Sequence, residues 1–197
     1  MARVSRYHPL LVALHWLLAF LIIAALALGA LVMVKIPNSS PMKLEALRSH
    51  MSGGVAILAL MLIRFVVRTR TSRPPAAPTG NPILDRVAWA SHRMFYGAVL
   101  VMAGSGVFMA LQTHLPEIVF LRHGTLPASF WVYPVRTVHF VASRVLMALI
   151  ALHIAGALYH TVILRDGLLR RMFFGRRTAP ATDPAPAGAQ PLARLWP

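Results

Sequence analysis

Apolar positions along this chain fall into four long runs divided by short polar stretches. Residues 10–34 are apolar apart from His15. A second run covers about residues 50–67, with Arg64 as its one charged residue. A third covers about 87–111, and a fourth about 138–164, the last containing Arg144, His153 and His160. The hydrocarbon core of a bilayer is about 30 Å thick and takes roughly 20 helical residues, so the runs predict four membrane-spanning helices. Pro9 suits the first turn of the first helix. Arg3 and Arg6 ahead of an apolar run also resemble a signal peptide, but the run is too long for a typical signal core. Between the second and third runs, Arg73-Pro74-Pro75-Ala76-Ala77-Pro78-Thr79-Gly80-Asn81-Pro82 predicts a loop. No internal repeat and no strand pattern is present. The expected fold is an all-α integral membrane four-helix bundle over residues 1–177, followed by a disordered Ala/Pro-rich cytoplasmic tail at 178–197.

Composition supports the membrane reading. Of 197 residues, 57% are hydrophobic and only 13% are charged, about half the share in a soluble domain. Lys and Arg number 20 against 5 Asp and Glu, for a net charge of +15. In a soluble protein that excess would suggest nucleic acid. Here the cations sit between apolar runs, where they meet anionic lipid instead. Arg3, Arg6, Arg64, Arg68, Arg70, Arg73, Arg86, Arg93, Arg165, Arg170, Arg171, Arg176 and Arg177 fall on one side of the four spans. Only Lys35, Lys43, Arg48, Arg122 and Arg136 fall on the other. The positive-inside rule then puts both termini in the cytoplasm. Tyr7, Trp89, Trp131, Tyr133 and Tyr159 lie near the expected span ends, where amphipathic rings settle. There is no Cys, which excludes disulfides, zinc–thiolate sites, iron–sulfur clusters and thioether-bound haem.

Nine His beside five acids is the unusual balance, and an ionisable residue inside a span asks for a function. His139 and His153 are fourteen residues apart on the fourth span. At about 100° per residue that is four turns less about 40°, so both share a face, about 21 Å apart along the axis. Two ligands on one face, one in each leaflet, suit two stacked cofactors. His50 on the second span matches the outer level of His139, and His15 on the first span is the partner for His153. His15 would lie about 9 Å deep from the cytoplasmic end and His153 about 16 Å, a mismatch that tilt and uncertain helix ends must absorb. Paired imidazoles from facing helices hold haem iron, whereas zinc would need further ligands that the apolar spans lack. Fourteen residues beyond His50 is Arg64, a cation for a haem propionate. Fourteen beyond His15 is Gly29, which leaves room at the outer level. Gly53, Gly54 and Gly156 stand one turn from ligands and let a flat macrocycle approach the backbone.

The stretch Leu152-His153-Ile154-Ala155-Gly156-Ala157-Leu158-Tyr159-His160, followed by Arg165-Asp166-Gly167-Leu168-Leu169-Arg170-Arg171-Met172, resembles the end of the bacterial cytochrome b561 family. Tyr7-His8-Pro9 through Ala13-Leu14-His15-Trp16 resembles its opening, and His50 with Gly53, Gly54 and Arg64 resembles its second helix. The resemblance implies four helices, two b haems with His15, His50, His139 and His153 as axial ligands, and quinone-linked electron transfer in the inner membrane. The family includes members that oxidise superoxide and reduce ubiquinone, so the resemblance also implies oxidoreductase activity. The loop at 112–137 matches least.

Of the remaining residues, His92 and His160 lie at the inner side and are candidates for contact with a quinone or a propionate. His8, His114 and His123 are expected to face solvent. Arg48 and Arg136, just ahead of His50 and His139, are candidates for steering a small anionic donor to the outer haem. Arg144 could pair with the outer haem or line its entry, and the sequence does not assign it a role. Expected partners are lipid, quinone and a small outer-side donor, with no nucleic acid. Two alternatives stand beside this reading. A haem-b anchor of a larger dehydrogenase or hydrogenase would co-purify with a soluble redox subunit. A His-containing transporter or scaffold without haem would show no Soret band.

Overall fold

The computed structural model describes residues 4–175, so the Ala/Pro-rich tail at 178–197 lies outside the described residues. Among the described residues the elements are helices only. Helix α1 covers Pro9–Ala27 and continues through a π-helical turn, Leu28–Val32, and a 3₁₀ turn, Met33–Lys35. Helix α2 is Pro41–Arg70, α3 is Pro82–Gln112, and the short α4 is Leu115–Phe120. Helix α5, Pro134–Leu158, runs on through a second π-helical turn, Tyr159–Leu164. The four long helices are long and apolar enough to cross a membrane.

Each long helix opens on proline, whose fixed φ suits the first turn and whose missing N–H would be unpaired there anyway. Asn81 caps α3 by accepting from the Ile83 and Leu84 N–H groups. His8 caps α1 in the same way, its Nδ1 accepting from Leu10 N–H at 3.2 Å. The helices extend beyond the apolar runs. Helix α2 starts at Pro41, nine residues before His50, because Met42, Lys43, Leu44 and Glu45 are good helix formers that add little hydropathy.

The chain passes alternately through the bundle, so residues 4–8 and 168–175 meet at one end. Tyr7 N–H donates to the Arg171 carbonyl, and Arg6 donates to the carbonyls of Arg170, Phe173 and Phe174. Trp16 Nε1 donates to the Met172 carbonyl at 2.8 Å. The segment after α5 thus folds back along α1. At the opposite end α4 and residues 121–133 cover the bundle.

Large apolar side chains such as Phe20, Leu62, Leu100 and Phe108 face outward, as lipid contact requires. The core is small and layered. Leu18, Ile57, Val99 and Leu146, one from each long helix, form a central layer. Leu47, Ala110, Leu115 and Val119 form a second layer under α4. The closest backbone pairs are α3 with α5 and α1 with α2, whereas α5 does not pack closely on α1 or α2.

Candidate functional site

Seven residues in a helix make two turns less about 20°, so positions seven apart trace one slowly drifting stripe. Four such stripes face one another inside this bundle. On α1 the stripe is His15, Ile22, Gly29; on α2 it is His50, Ile57, Arg64. On α3 it is His92, Val99, Gly106, and on α5 it is His139, Leu146, His153. Because successive helices run in opposite directions, the stripes sort into levels. Ile22, Ile57, Val99 and Leu146 meet in the middle. His15, Arg64, His92 and His153 occupy the end where the described chain ends meet. Gly29, His50, Gly106 and His139 occupy the other.

Each level contains a facing imidazole pair that joins α5 to one of the first two helices. The rings of His15 and His153 have centroids 6.1 Å apart with planes at 70°. Those of His50 and His139 are also 6.1 Å apart, at 74°. The depth mismatch between His15 and His153 is absorbed by overhang. With the rings level, α5 projects about 7 Å beyond the start of α1, and the chain then turns back as far as Trp16.

At the far level, glycine brings both rings against neighbouring backbones. A Cβ on Gly106 would stand 3.2 Å from His139 Cε1, and one on Gly29 would stand 3.5 Å from His50 Cε1. Ser105 Oγ lies 3.1 Å from His139 Nδ1. Arg136 stacks over the Trp131 ring at 4.5 Å and its charge reaches both His50 and His139. Arg48 is engaged elsewhere: it donates to the Val119 carbonyl at 3.0 Å and pairs with Glu45, which also binds Arg122 at 2.6 Å. Arg144 lies over the Phe140 ring at 4.7 Å.

At the near level, Arg64 Nη1 donates to the Tyr96 hydroxyl at 2.6 Å, which turns the guanidinium inward. Its charge reaches His15 and His153, and its Nε is buried without a partner. His92 comes within 5.5 Å of His153, centroid to centroid. The Ala88 carbonyl can only accept, so His92 Nδ1–H donates to it and Nε2 carries the lone pair. His160 is buried, and its Nδ1 lies 2.6 Å from Asp166 Oδ2, so only its Nε2 is left for another group. His114 and His123 are exposed at the far end.

This arrangement fits haem on four observations. Two imidazoles bonded to a shared metal at about 2 Å each have centroids roughly 6 Å apart. The helix pairs that carry the imidazole pairs are ones whose backbones stay apart. A Cβ on Gly53 or Gly54, both half-buried, would meet no atom within 4 Å, so space lies one turn from His50. The orphaned Arg64 Nε offers an anionic group a partner at the near level. Among the described residues no group of three or more His, Cys, Asp or Glu converges as in a zinc site.

The chain matches the family described as prokaryotic cytochrome b561 over residues 6–175. It belongs to that family. Membership makes it a membrane electron-transfer protein and implies haem b. Among its relatives, a protein of Yersinia pestis named probable superoxide oxidase is 26% identical over 187 residues, covering 88% of this chain and 98% of that protein. Cytochrome b561 homolog 2 of Escherichia coli (strain K12) is 27% identical over 176 residues, covering 85% and 91%. Within this b561 chain, sequence reasoning missed Ser105, Gly106 and Tyr96. Gly106 had a signal, since it lies fourteen residues beyond His92 and the same step had already linked His15 to Gly29.

Proposed function

We propose that this protein carries electrons across the bacterial inner membrane between an outer-side donor and quinone, using two b haems. His15 and His153 hold one haem toward the cytoplasmic side, and His50 and His139 hold the other toward the outer side. The observation that carries the reading is the pair of equal 6.1 Å imidazole separations at two depths of one bundle. Bound there, haem supplies a reversible one-electron change at iron. The protein's own residues supply position and charge. Leu146 and its layer keep the two levels apart. Arg64, held inward by Tyr96, faces a propionate. His92 Nε2, which carries the lone pair, is free to accept a hydrogen bond from a quinol hydroxyl. Arg68, Arg70, Arg73, Arg86 and Arg93 cluster at the end where the described chain ends meet, which supports cytoplasmic termini.

The name of the Yersinia relative favours superoxide as donor. Two superoxide anions would each give one electron and leave as dioxygen, and one quinone would take both electrons with two protons. Arg136, beside the outer pair, is placed to attract that anion.

Pyridine haemochrome analysis of the pure protein tests the core of this proposal, and two haems per chain are expected. One or none would overturn it. His15→Ala and His153→Ala should remove the same spectral component, and His50→Ala and His139→Ala the other. Loss of one component by both His15→Ala and His50→Ala would refute the pairing.

A further inference from the structure

Helix α3 contributes no member of either facing imidazole pair, yet two of its residues, Ser105 and Gly106, lie directly against His139. Ser105 is buried, and its Oγ lies 3.0 Å from the Met102 carbonyl and 3.1 Å from His139 Nδ1. A serine hydroxyl has one proton. The carbonyl can only accept, so that proton goes to Met102. Ser105 Oγ then accepts from His139, and His139 must carry its proton on Nδ1. Next along the chain, Gly106 lets the ring come this close to the helix. His50 has no counterpart: its Nδ1 is buried without a partner. Of the two far-level imidazoles, one is fixed by a hydrogen bond and the other by packing alone.

We infer that Ser105 is a positioning residue for the outer haem, fixing the Nδ1–H tautomer of His139 and so leaving Nε2 to face the metal and His50. The inference rests on the proposed ligand role of His139. A hydrogen bond accepted from Nδ1–H makes the imidazole a stronger donor, which favours ferric over ferrous iron and holds the potential down. The effect is confined to one level, because Ser105 has no contact with the His15–His153 pair.

The test is a redox titration of the purified two-haem protein, with ferric low-spin electron paramagnetic resonance, on the parent, Ser105→Ala and Ser105→Thr. In Ser105→Ala the outer component should titrate at a higher potential, by an amount equal to a three- to tenfold change in the ferric–ferrous equilibrium. Tenfold is about 59 mV for one electron. Its resonance signals should shift while those of the inner component stay put. Ser105→Thr keeps the hydroxyl and should restore the parent values. An unshifted outer potential in Ser105→Ala, or an equal shift in Ser105→Thr, would overturn the inference alone. If His139→Ala kept both haems, the ligand reading beneath it would fail instead.

Discussion

The glycines at the far level allow a graded test of how tightly the imidazoles are seated. At Gly106 an added methyl would stand 3.2 Å from His139 Cε1 and 3.5 Å from Nδ1. Carbon atoms settle at about 3.5–4.0 Å, so the ring or the helix must yield by a few tenths of an ångström. At Gly29 the methyl would meet His50 Cε1 at 3.5 Å, an ordinary contact. At Gly97, which lines an apolar groove between α3 and α5, it would meet nothing within 4 Å. Replacing helical glycine by alanine gains roughly 0.5–1 kcal/mol from backbone entropy. Overpacking costs about 1–3 kcal/mol. Gly97→Ala and Gly29→Ala should therefore each stabilise by up to about 1 kcal/mol, and Gly106→Ala should run from neutral to about 2.5 kcal/mol destabilising. Low-temperature difference spectra and redox titration should show the outer haem component disturbed in the order Gly106, Gly29, Gly97, with the inner component constant. The reasoning fails if Gly106→Ala stabilises as much as Gly97→Ala with an unchanged outer spectrum, or if it moves the inner component instead.

Two further outcomes follow from charges at the ends of the bundle. Since Glu45 already engages Arg48 and Arg122, Arg136 should carry most of any anion steering: Arg136→Gln should slow haem reduction by superoxide and flatten its fall with salt, measured by stopped flow, while Arg48→Gln changes little. Equal salt slopes in parent and Arg136→Gln would remove the idea. At the other end, slight burial raises the Asp166 carboxyl, but hydrogen bonds from His160 and the Leu168 N–H outweigh it and hold the group below its ordinary value of 3.8. A depressed folded value means the contribution is complete above that ordinary value and fades as pH falls through the lowered one. Thermal unfolding of Asp166→Asn should thus lose part of the parent's acid sensitivity below about pH 4, and identical acid profiles would count against the pairing.

The four spans were legible because a bilayer demands about 20 apolar residues in a row and little else competes with that signal. The facing imidazole pairs were legible because fourteen residues return a helix nearly to the same face, which fixed His139 against His153. The same step found Gly29 and Arg64. It was not applied from His92, so α3's stripe and its Gly106 went unread. Other features left no periodic trace. Ser105 reaches His139 sideways from a neighbouring helix, a contact set by interhelical distance rather than by spacing along either chain. Tyr96 holds Arg64 inward in the same lateral way. The overhang of α5 depends on residues 168–174 folding back to Arg6 and Trp16. The outward extension of α2 to Pro41 was hidden because Lys43, Glu45 and Arg48 lower hydropathy without ending the helix.

The two levels are built from different parts, and the difference has a direction. The far level sets two imidazoles against two glycines, and its cation, Arg136, sits about one turn outward of His139, stacked over the Trp131 ring. The near level sets its pair beside a third imidazole, His92, and a guanidinium, Arg64, that Tyr96 keeps from escaping to water. A positive charge about 10 Å away, at an effective dielectric of about 20, is worth roughly 1–2 kcal/mol, or about tenfold in a one-electron equilibrium. It favours the reduced form, because reduction lowers the positive charge at the iron. The haem that we propose for His15 and His153 should therefore titrate at a higher potential than its proposed outer partner, so that electrons entering from outside would run downhill toward the cytoplasmic side. Arg64→Gln should lower the inner potential and leave the outer one in place, and Tyr96→Phe should do the same to a smaller extent by freeing the guanidinium. The measurement is a potentiometric titration in which His15→Ala and His50→Ala first assign each component. An inner potential below the outer one, or one indifferent to Arg64, would show that the slope is set elsewhere.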